Sequence, residues 1–355
     1  MHRFLSHDKF YLISIYRKYN KYVMEKYKLI FLLVSISILI LMIKVYYWRI
    51  QLKYGSILSL YTPDTFVFAS NTKNQYDKGV KEGALLAKTK RAVIATMLRD
   101  SEKRIPAIIK RAEATGNLFA DYRILIVEND SKDRTRPLLL DWARKNNKVT
   151  ILGCGINKEE CKIPKAPKTE GHSVDRARIE KMVMLRNIYL DYIKENYSDF
   201  DYVIIWDLDS ISTTYLDGIQ HTINLMENST DENPKVIPKV VCANGIYEWP
   251  FMTIFYDTYA TLDRQEPFDI DMKYPSDLRK GLWEYKMLRG DKPIEVDSCF
   301  SGFAIYKMDG LLDDAVKYDM TPGKNIECEH VRLHKNIKGK KIINPSMINL
   351  IVLND

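Results

Sequence analysis

The stretch that decides the fold is Tyr202-Val-Ile-Ile-Trp-Asp-Leu-Asp-Ser210. Its apolar, β-branched first half predicts a buried strand. Residues two apart on a strand point to the same side, so Asp207 and Asp209 should emerge together where the strand ends. Two carboxylates at such a point suit Mg²⁺ or Mn²⁺, with the other ligand positions left to water or a diphosphate. The alternative is a strand that ends in a solvated Asp-x-Asp turn, because this tripeptide is common by chance.

Strands and helices alternate on the amino-terminal side of this stretch. The predicted strands are Ala92–Leu98, Tyr122–Val127 and Val149–Leu152, and the predicted helices follow Asp100 and cover Leu138–Asn146 and Ser173–Asn196. This alternation with short links predicts a parallel, doubly wound sheet. On the carboxyl-terminal side we expect a strand over 235–243, an aromatic-rich connection over 244–257, a turn and strand over 296–306, a helix from Glu327 and a closing segment at 342–347. No linker divides residues 85–355.

Polar residues follow the first two predicted strands. Arg99 ends the first strand, and Glu128-Asn129-Asp130-Ser131 ends the second. Adjacent strand ends in an open parallel sheet form the crevice that binds a nucleotide, where a carboxylate can accept from a base or a ribose hydroxyl. No glycine-rich phosphate loop is present, which argues against dinucleotide-binding dehydrogenases and P-loop NTPases.

Arg186 lies within the apolar stripe of the longest predicted helix. That stripe consists of Ile179, Met182, Val183, Leu190 and Ile193. A buried arginine is costly unless it is paired, so Arg186 should reach a phosphate or a carboxylate. The alternative is an arginine that extends off the edge of the stripe into water.

Two further groups of residues have the composition of a site. Glu329 and His330 precede His334 by one helical turn, so the two histidines should share a helix face. An imidazole can complete the shell of a divalent metal, and Glu329 can act as a base or stabilise charge. Ser301-Gly302 precedes a strand, where glycine allows the backbone to approach a ligand closely. The alternatives are two surface histidines at a solvated helix start and a simple turn glycine.

The net charge of the chain is concentrated at its amino terminus. Residues 1–53 contain ten Lys or Arg and two acidic residues, and the remaining 302 residues contain 44 of each sign. The body of the protein therefore has no basic bias, which argues against nucleic acid as a partner. Residues 29–48 are apolar enough to span a membrane as a helix, with Lys44 extending to the headgroups. Seven basic residues precede this span and predict a cytoplasmic amino terminus, that is, a type II topology.

Five cysteines show no metal-binding spacing. A Cys154–Cys161 disulfide and free buried cysteines are both compatible with the sequence. Asn196-Tyr-Ser198 and Asn228-Ser-Thr230 are glycosylation sequons, usable only if the body of the protein is lumenal.

The order of these features resembles glycosyltransferases of the GT-A fold. The closer resemblance is to the cryptococcal-type α-mannosyltransferases and capsule-associated proteins of glycosyltransferase family 69. It rests on segments within residues 85–350, namely Met184-Leu-Arg-Asn187, Cys242-Ala-Asn-Gly245, Phe255-Tyr-Asp-Thr258, Val296-Asp-Ser-Cys299 with Gly302, Cys328-Glu-His330 and Ile343-Asn-Pro345. It implies a Rossmann-like, mostly parallel sheet flanked by helices, a mannose donor and retention of configuration.

The resemblance also implies a set of site residues. Metal ligands would be Asp207, Asp209 and His330, with His334 as a second choice for the third ligand. Catalytic residues would be Glu329 and Asp209. The nucleotide and diphosphate would contact Arg99, Glu128, Asp130, Arg186, Asn187 and Asp207. Stacking on an acceptor sugar would involve Tyr247, Trp249 and Tyr256, for which core packing is the alternative.

The sequence therefore predicts a metal-dependent glycosyltransferase, using Mn²⁺ or Mg²⁺ and a donor such as GDP-mannose or a UDP-sugar. Its parts would be a basic cytoplasmic tail (1–28), a transmembrane anchor (29–48), a stem (49–84) and a GT-A domain (85–355) that faces the lumen of the Golgi or ER, or an equivalent host or viral membrane. It would extend a glycan. The alternative function is a catalytically inactive GT-A-like protein that binds glycans or acts as a membrane-bound scaffold.

Overall fold

The chain divides into two units, Met1–Ser56 and Ile57–Asp355. The computed structural model describes residues 16, 20–45, 59–153, 176–208, 211–228, 237–249, 252–262, 287–321 and 326–352. In the first unit, helix α1 (Asn20–Val45) contains an 18-residue window with a mean hydropathy of 2.5 and no buried residue. Length and composition allow α1 to cross a membrane, and a signal sequence near an amino terminus meets the same criteria. Helix α1 begins before the predicted span 29–48, and residues 46–48 lie outside the described residues.

The second unit is built on one sheet, with helices on both faces. In the described residues the strands are β1 (Arg91–Leu98), β2 (Asp121–Glu128), β3 (Val149–Gly153), β4 (Tyr202–Trp206), β5 (Ile211–Thr214), β6 (Val240–Trp249), β7 (Met252–Phe255), β8 (Ile294–Val296), β9 (Phe303–Lys307) and β10 (Lys341–Val352). The helices are α2 (Lys73–Ala87), α3 (Ile105–Gly116), α4 (Thr135–Lys145), α5 (Arg176–Asn196), α6 (Leu216–Glu227) and α7 (Glu329–Asn336). This architecture confirms the predicted α/β class.

Strand order along the sheet is β3-β2-β1-β4-β9-β6-β10-β5, with β7 beside β6 and β8 beside β10. The first four strands are parallel, as the sequence predicts. Strand β9 then runs antiparallel between β4 and β6. The carboxyl-terminal half is therefore mixed, since only β6 and β10 pair in parallel among its described strands. The strand–helix alternation that indicates a parallel sheet ends after β4.

Side chains on the central strands alternate between two cores. Val93 and Ala95 of β1 pack on the face covered by α5 and α7. Ala92 and Ile94 pack on the face covered by α3, α4 and α6. Both faces of the strand are thus buried, which is why the sequence is apolar without a break.

Two predicted boundaries differ from the structure. The strand expected at 235–243 begins at Val240 and continues to Trp249, and residues 252–255 form β7, so most of the expected aromatic connection is strand. Helix α2 (Lys73–Ala87) lies in the second unit with Tyr76 and Gly79 buried, whereas the sequence assigns residues 73–84 to a stem. Gly79 and Gly83 allow α2 to approach α6 closely, because a Cβ at Gly83 would lie 1.8 Å from the Gln220 carbonyl oxygen. Two glycines one helical turn apart in a polar segment do not by themselves predict a packed helix.

A disulfide joins Cys242 of β6 to Cys299 in the loop before β9. The sequence left the pairing of cysteines open and considered Cys154–Cys161, which lies outside the described residues. Cys328 is a free, buried thiol. The disulfide ties a loop to the sheet between strands that are already adjacent.

We predict that Gly83→Ala destabilises the second unit by about 1–3 kcal/mol or more, because the added methyl group has no room between α2 and α6. Urea unfolding of the full chain in detergent, followed by tryptophan fluorescence, measures the effect. The matched control is Gly310→Ala, where the nearest atom to the new Cβ would be 3.5 Å away. Equal stability of the two variants would show that α2 is not part of the cooperative unit.

Candidate active site

Three predicted site residues lie at neighbouring strand ends. Arg99 follows β1, Asp130 follows β2 and Asp207 follows β4, and these strands are adjacent in the sheet. The Leu208 N–H donates to the Thr96 hydroxyl of β1 over 3.4 Å, which draws the start of the Asp-x-Asp loop toward β1. These three residues therefore follow adjacent parallel strands, as the sequence predicts, and the nucleotide-binding crevice stays a prediction.

The loops at this edge contain strained backbone. Five non-glycine residues in the described part of the chain have positive φ, and four of them follow β1, β2, β7 or precede β9: Asp100 (47°), Asp130 (51°), Asp257 (72°) and Ser301 (58°). Left-handed backbone is unfavourable for residues with a Cβ and concentrates at functional sites. The strain thus lies where the sequence places the site.

Glu128 supports the turn that presents Asp130. Its carboxylate accepts from the Ser131 N–H at 2.7 Å and from Arg136 Nε at 2.6 Å, and the side chain is fully buried. Both carboxylate oxygens are thus engaged by protein groups. The predicted contact of Glu128 with a nucleotide stays a prediction, and the structure gives this residue a clear role in shaping the loop.

Arg186 connects three parts of the site. Its Nε donates to Glu329 Oε1 at 2.9 Å, and a terminal nitrogen donates to Asp207 Oδ1 at 3.2 Å. The side chain is 3% exposed. The prediction that this arginine is paired rather than extended into water is confirmed. Burial by itself lowers the pKa of Arg186, but the Tyr189 hydroxyl and the two carboxylates raise it well above its usual value, so the guanidinium stays charged.

Two tyrosines complete the surroundings of Arg186. The Tyr189 hydroxyl accepts from Arg186 at 3.1 Å and lies 3.1 Å from the Tyr318 hydroxyl. Asn187 holds the Tyr318 backbone through two hydrogen bonds of 3.0 Å, one in each direction. The predicted cofactor residue Asn187 therefore fixes the segment that carries Tyr318 in this structure.

His330 is buried without a hydrogen-bond partner. Its ring stacks on Phe300 at a centroid distance of 3.7 Å, and Nε2 lies 3.9 Å from Glu329 Oε1. Neither ring nitrogen has a partner among the described residues. Burial lowers the pKa of His330 well below its usual value, and the charge of Arg186 lowers it further, so the ring is neutral.

His334 shares the helix face with His330, as predicted, but it belongs to the core. Its Nδ1 lies 3.0 Å from the Ser298 hydroxyl and its Nε2 lies 2.9 Å from the Tyr306 hydroxyl. Burial lowers its pKa to about 3. With both nitrogens occupied, His334 is not available as a metal ligand, and the prediction of it as second choice is wrong.

The segment Cys299–Gly302, here called the disulfide loop, contacts most of the site. Phe300 stacks on His330, and the Ser301 N–H donates to Asp257 Oδ2 at 2.9 Å. The Gly302 carbonyl accepts from the Asp207 N–H at 2.9 Å. The backbone at Ser301-Gly302 thus lies close to other loops of the site, with φ at Gly302 of +74°, and its predicted approach to a ligand stays a prediction.

Asp257 and Lys181 are site residues that sequence reasoning missed. The only signal for Asp257 was its place in the Phe255–Thr258 segment of the family resemblance. Lys181 of α5 lies near Arg99 and Asp130; burial lowers its pKa and Arg99 lowers it further, while Asp130 opposes this. A lysine on an amphipathic helix gave no signal at all.

Some predicted site residues fall outside the described part. Asp209 lies there, as does the side chain of Trp249. Tyr247 of β6 pairs with Ile351 of β10 and Ile254 of β7, and the Tyr256 N–H donates to the Gly245 carbonyl at 2.9 Å. The stacking role predicted for these aromatic residues stays a prediction.

A protein family described as cryptococcal mannosyltransferase 1 matches residues 91–333, a segment that includes all the described site residues. The chain belongs to this family. The predicted glycosyltransferase assignment is therefore confirmed at the level of the family, and the cryptococcal mannosyltransferase 1 relationship agrees with the resemblance seen in the sequence. No curated protein matches the chain.

Solved glycosyltransferase structures show a more distant similarity. Staphylococcus aureus TarS 1-349 in complex with UDP-GlcNAc has 13% sequence identity and a TM-score of 0.39, over 75% of this chain and 59% of its own. Mannosyltransferase PcManGT from Pyrobaculum calidifontis, in complex with GDP-Man and Mn²⁺, has 11% identity and a TM-score of 0.39, over 87% of this chain and 68% of its own. The chain thus spans 59% of the length of that TarS chain.

We predict that Arg186→Met destabilises the protein by about 3–5 kcal/mol, because it leaves Glu329 and Asp207 as buried or half-buried charges without their partner. Adding Glu329→Gln should recover part of this loss, because it removes one of the two charges. Equilibrium unfolding in urea measures both. Arg178→Met, an exposed position on the same helix, is the control and should change stability by less than about 0.5 kcal/mol. Equal effects at positions 178 and 186 would contradict a structural role of the ion pairs.

Proposed function

We propose that this chain is a metal-dependent glycosyltransferase that moves a sugar, mannose in the first instance, from a nucleoside-diphosphate sugar to a hydroxyl group of a glycan. The observation that carries the proposal is the arrangement of Asp207, Arg186, Glu329 and His330 at the carboxyl edge of the parallel strands, within a chain of the cryptococcal mannosyltransferase 1 family. Family membership supports the transfer reaction, and the name of the family supports mannose.

Two described residues of this site, His330 and Asp207, support a divalent cation. His330 is a buried, neutral imidazole whose nitrogens lack partners among the described residues, and neutral imidazole is the form that binds metals. Asp207 is linked to it through Arg186 and Glu329. The described residues contain no group of three or more acidic, histidine or cysteine side chains placed to hold a metal, and Asp209 is not among them. We assign Asp207, Asp209 and His330 as ligands of Mn²⁺ or Mg²⁺.

A cation at these residues would supply charge neutralisation to the diphosphate of the donor. The protein's own groups carry the other tasks. Arg99 after β1 and Lys181 in the amino-terminal part of α5 place positive charge where a diphosphate can bind, and Asp130 presents a carboxylate to the nucleoside. Arg186 holds Glu329 and Asp207 in fixed positions before substrate binds. The site therefore needs little reorganisation during transfer.

The proposed donor and metal can be tested together with the full chain in detergent. GDP-mannose, UDP-glucose and UDP-GlcNAc are each added with Mn²⁺, with Mg²⁺ or with EDTA, and thermal unfolding is followed. A donor at about 100 times its Kd should stabilise the protein by about 2.7 kcal/mol. We expect a shift with one donor that requires the metal and disappears in Asp209→Ala and His330→Ala. Asp314→Ala, an exposed position, should behave as the wild type.

Each other result contradicts a part of the proposal. A donor shift that persists in EDTA would rule out the metal role. No shift with any nucleotide sugar, in a sample that unfolds cooperatively, would rule out the transferase and favour a GT-A-like protein that binds glycans.

We also propose that α1 anchors the protein in a membrane with the second unit in the lumen of the secretory pathway. The basic residues before α1 favour a cytoplasmic amino terminus. The Cys242–Cys299 disulfide favours an oxidising compartment. Asn196, the acceptor of the first sequon, is exposed at the end of α5.

We predict that the second unit is protected from added protease in sealed microsomes of expressing eukaryotic cells, and is digested once detergent opens them. Endoglycosidase should lower the mass of the wild type, and Asn196→Gln with Asn228→Gln should abolish this change. A second unit digested without detergent would place it on the cytoplasmic side.

A further inference from the structure

Asp257 is an acidic residue that takes no part in the ion pairs described for the site. It follows β7, and the charges of Asp207 and Glu329 act on its carboxylate. Arg186 bonds to both of those carboxylates. No Lys or Arg is paired with Asp257 in the part of the chain that the structure describes, and the residue as a whole is half-buried. The site therefore contains three acidic residues, and Arg186 bonds to two of them.

The backbone at Asp257 is strained in a way that the contacts maintain. Its φ is +72°, a left-handed conformation that residues with a Cβ rarely adopt. The Ser301 N–H donates to Oδ2 at 2.9 Å, and the Ala260 N–H and the Thr261 hydroxyl donate to the Asp257 carbonyl at 3.2 and 3.0 Å. Strain of this kind persists only where the surrounding structure holds it, and it clusters at catalytic and binding positions.

The carboxylate has acceptor capacity left for a ligand. An ionised carboxylate can accept about four hydrogen bonds, and only backbone N–H groups of Ser301 and Ala260 act on this one among the described residues. Burial raises the pKa of Asp257 to about 7, the Ser301 N–H opposes this, and the charges of Asp207 and Glu329 raise it. A carboxylate in such surroundings forms a strong hydrogen bond with a hydroxyl group.

The position of Asp257 in the chain places it on the acceptor side. The nucleotide residues Arg99 and Asp130 follow β1 and β2 at one end of the sheet. Asp257 follows β7, which pairs with β6, on the far side of β4 and β9. Asp207 follows β4, which lies between β1 and β6 in the strand order, and Arg186 bonds to both Asp207 and Glu329.

We propose that Asp257 is a catalytic residue that accepts a hydrogen bond from the attacking hydroxyl group and orients it toward the sugar of the donor. This inference rests on the proposed function and adds the residue that contacts the acceptor. Orientation of the attacking group contributes to rate by holding the reacting atoms in a near-attack geometry. The attacking hydroxyl is that of a glycan in transfer and that of water in hydrolysis of the donor.

The test measures release of nucleoside diphosphate from the donor that the wild type binds, with water as acceptor, in the full chain in detergent. Asp257→Asn has the same shape but is a weaker acceptor, and should lower turnover by about 100-fold or more. Its affinity for the donor, measured by thermal shift, should stay within about three-fold of that of the wild type. The proposed contact of Asp257 is with the attacking hydroxyl group and not with the donor. Asp314→Asn is the control for loss of one acidic group at an exposed position.

Asp257→Gly is the second variant and removes the carboxylate without backbone conflict. Glycine adopts positive φ readily, which offsets part of the cost of losing the hydrogen bond from the Ser301 N–H, so this protein should still fold cooperatively. It should lose turnover as Asp257→Asn does, and added formate should restore part of it by supplying a carboxylate. Restoration by formate but not by chloride would separate a catalytic contact from a purely structural one.

Four outcomes would overturn the inference. The first is turnover of Asp257→Asn or Asp257→Gly within about three-fold of the wild type, and the second is a loss of donor affinity as large as the loss of turnover. The third is failure of formate to restore any turnover. The fourth is a glycosyl adduct on Asp257, detected in the intact mass of donor-treated wild type. A wild type that binds no nucleotide sugar would instead refute the proposed function. The two failures are therefore distinguishable.

Discussion

The buried guanidinium of Arg186 is the constraint on which the site depends. It joins Asp207 after β4 and Glu329 at the start of α7 through hydrogen bonds of 3.2 and 2.9 Å. Asp207 lies 21 residues from Arg186 in the chain, and Glu329 lies 143 residues from it. A charge so deeply buried is tolerated only when its donors are satisfied, and a carboxylate without this partner would be equally costly. Helix α5, β4 and α7 are therefore fixed relative to one another by one side chain.

The disulfide loop connects the residues around Arg186 to the rest of the site. It sits between the sheet and α7, and it contacts His330, Asp257 and Asp207 through one residue each. Ser301 and Gly302 adopt left-handed backbone to make these contacts, and the Cys242–Cys299 disulfide anchors the start of the loop. The strain at Ser301 and Asp257 is thus held by a covalent bond and by two packed layers, which keeps the polar groups of the site in place without substrate.

Sequence patterns predicted the amino-terminal half of the fold well, and the mixed half less well. Strands β1, β2 and β4 are continuous apolar runs because both their faces are buried, and such runs are easy to recognise. Strand β6 was placed too early, since Tyr247 and its aromatic neighbours resemble a connection as much as a strand. Helix α2 was missed because its contact with α6 depends on Gly79 and Gly83, which lack an apolar side chain.

By itself the sequence determined where carboxylates leave the parallel strands, that Arg186 must be paired, and that one amino-terminal helix is apolar enough to span a membrane. These follow from local periodicity, which a short window of sequence shows, and from the free-energy cost of burying an unpaired charge. Only the tertiary structure decided that the partner of Arg186 is Glu329, that His334 is a core residue, that Cys242 bonds to Cys299, and that Asp257 joins the site. Each of these is a contact between residues far apart in the chain. The folded sheet brings them together, and the local sequence pattern around each residue does not indicate the contact.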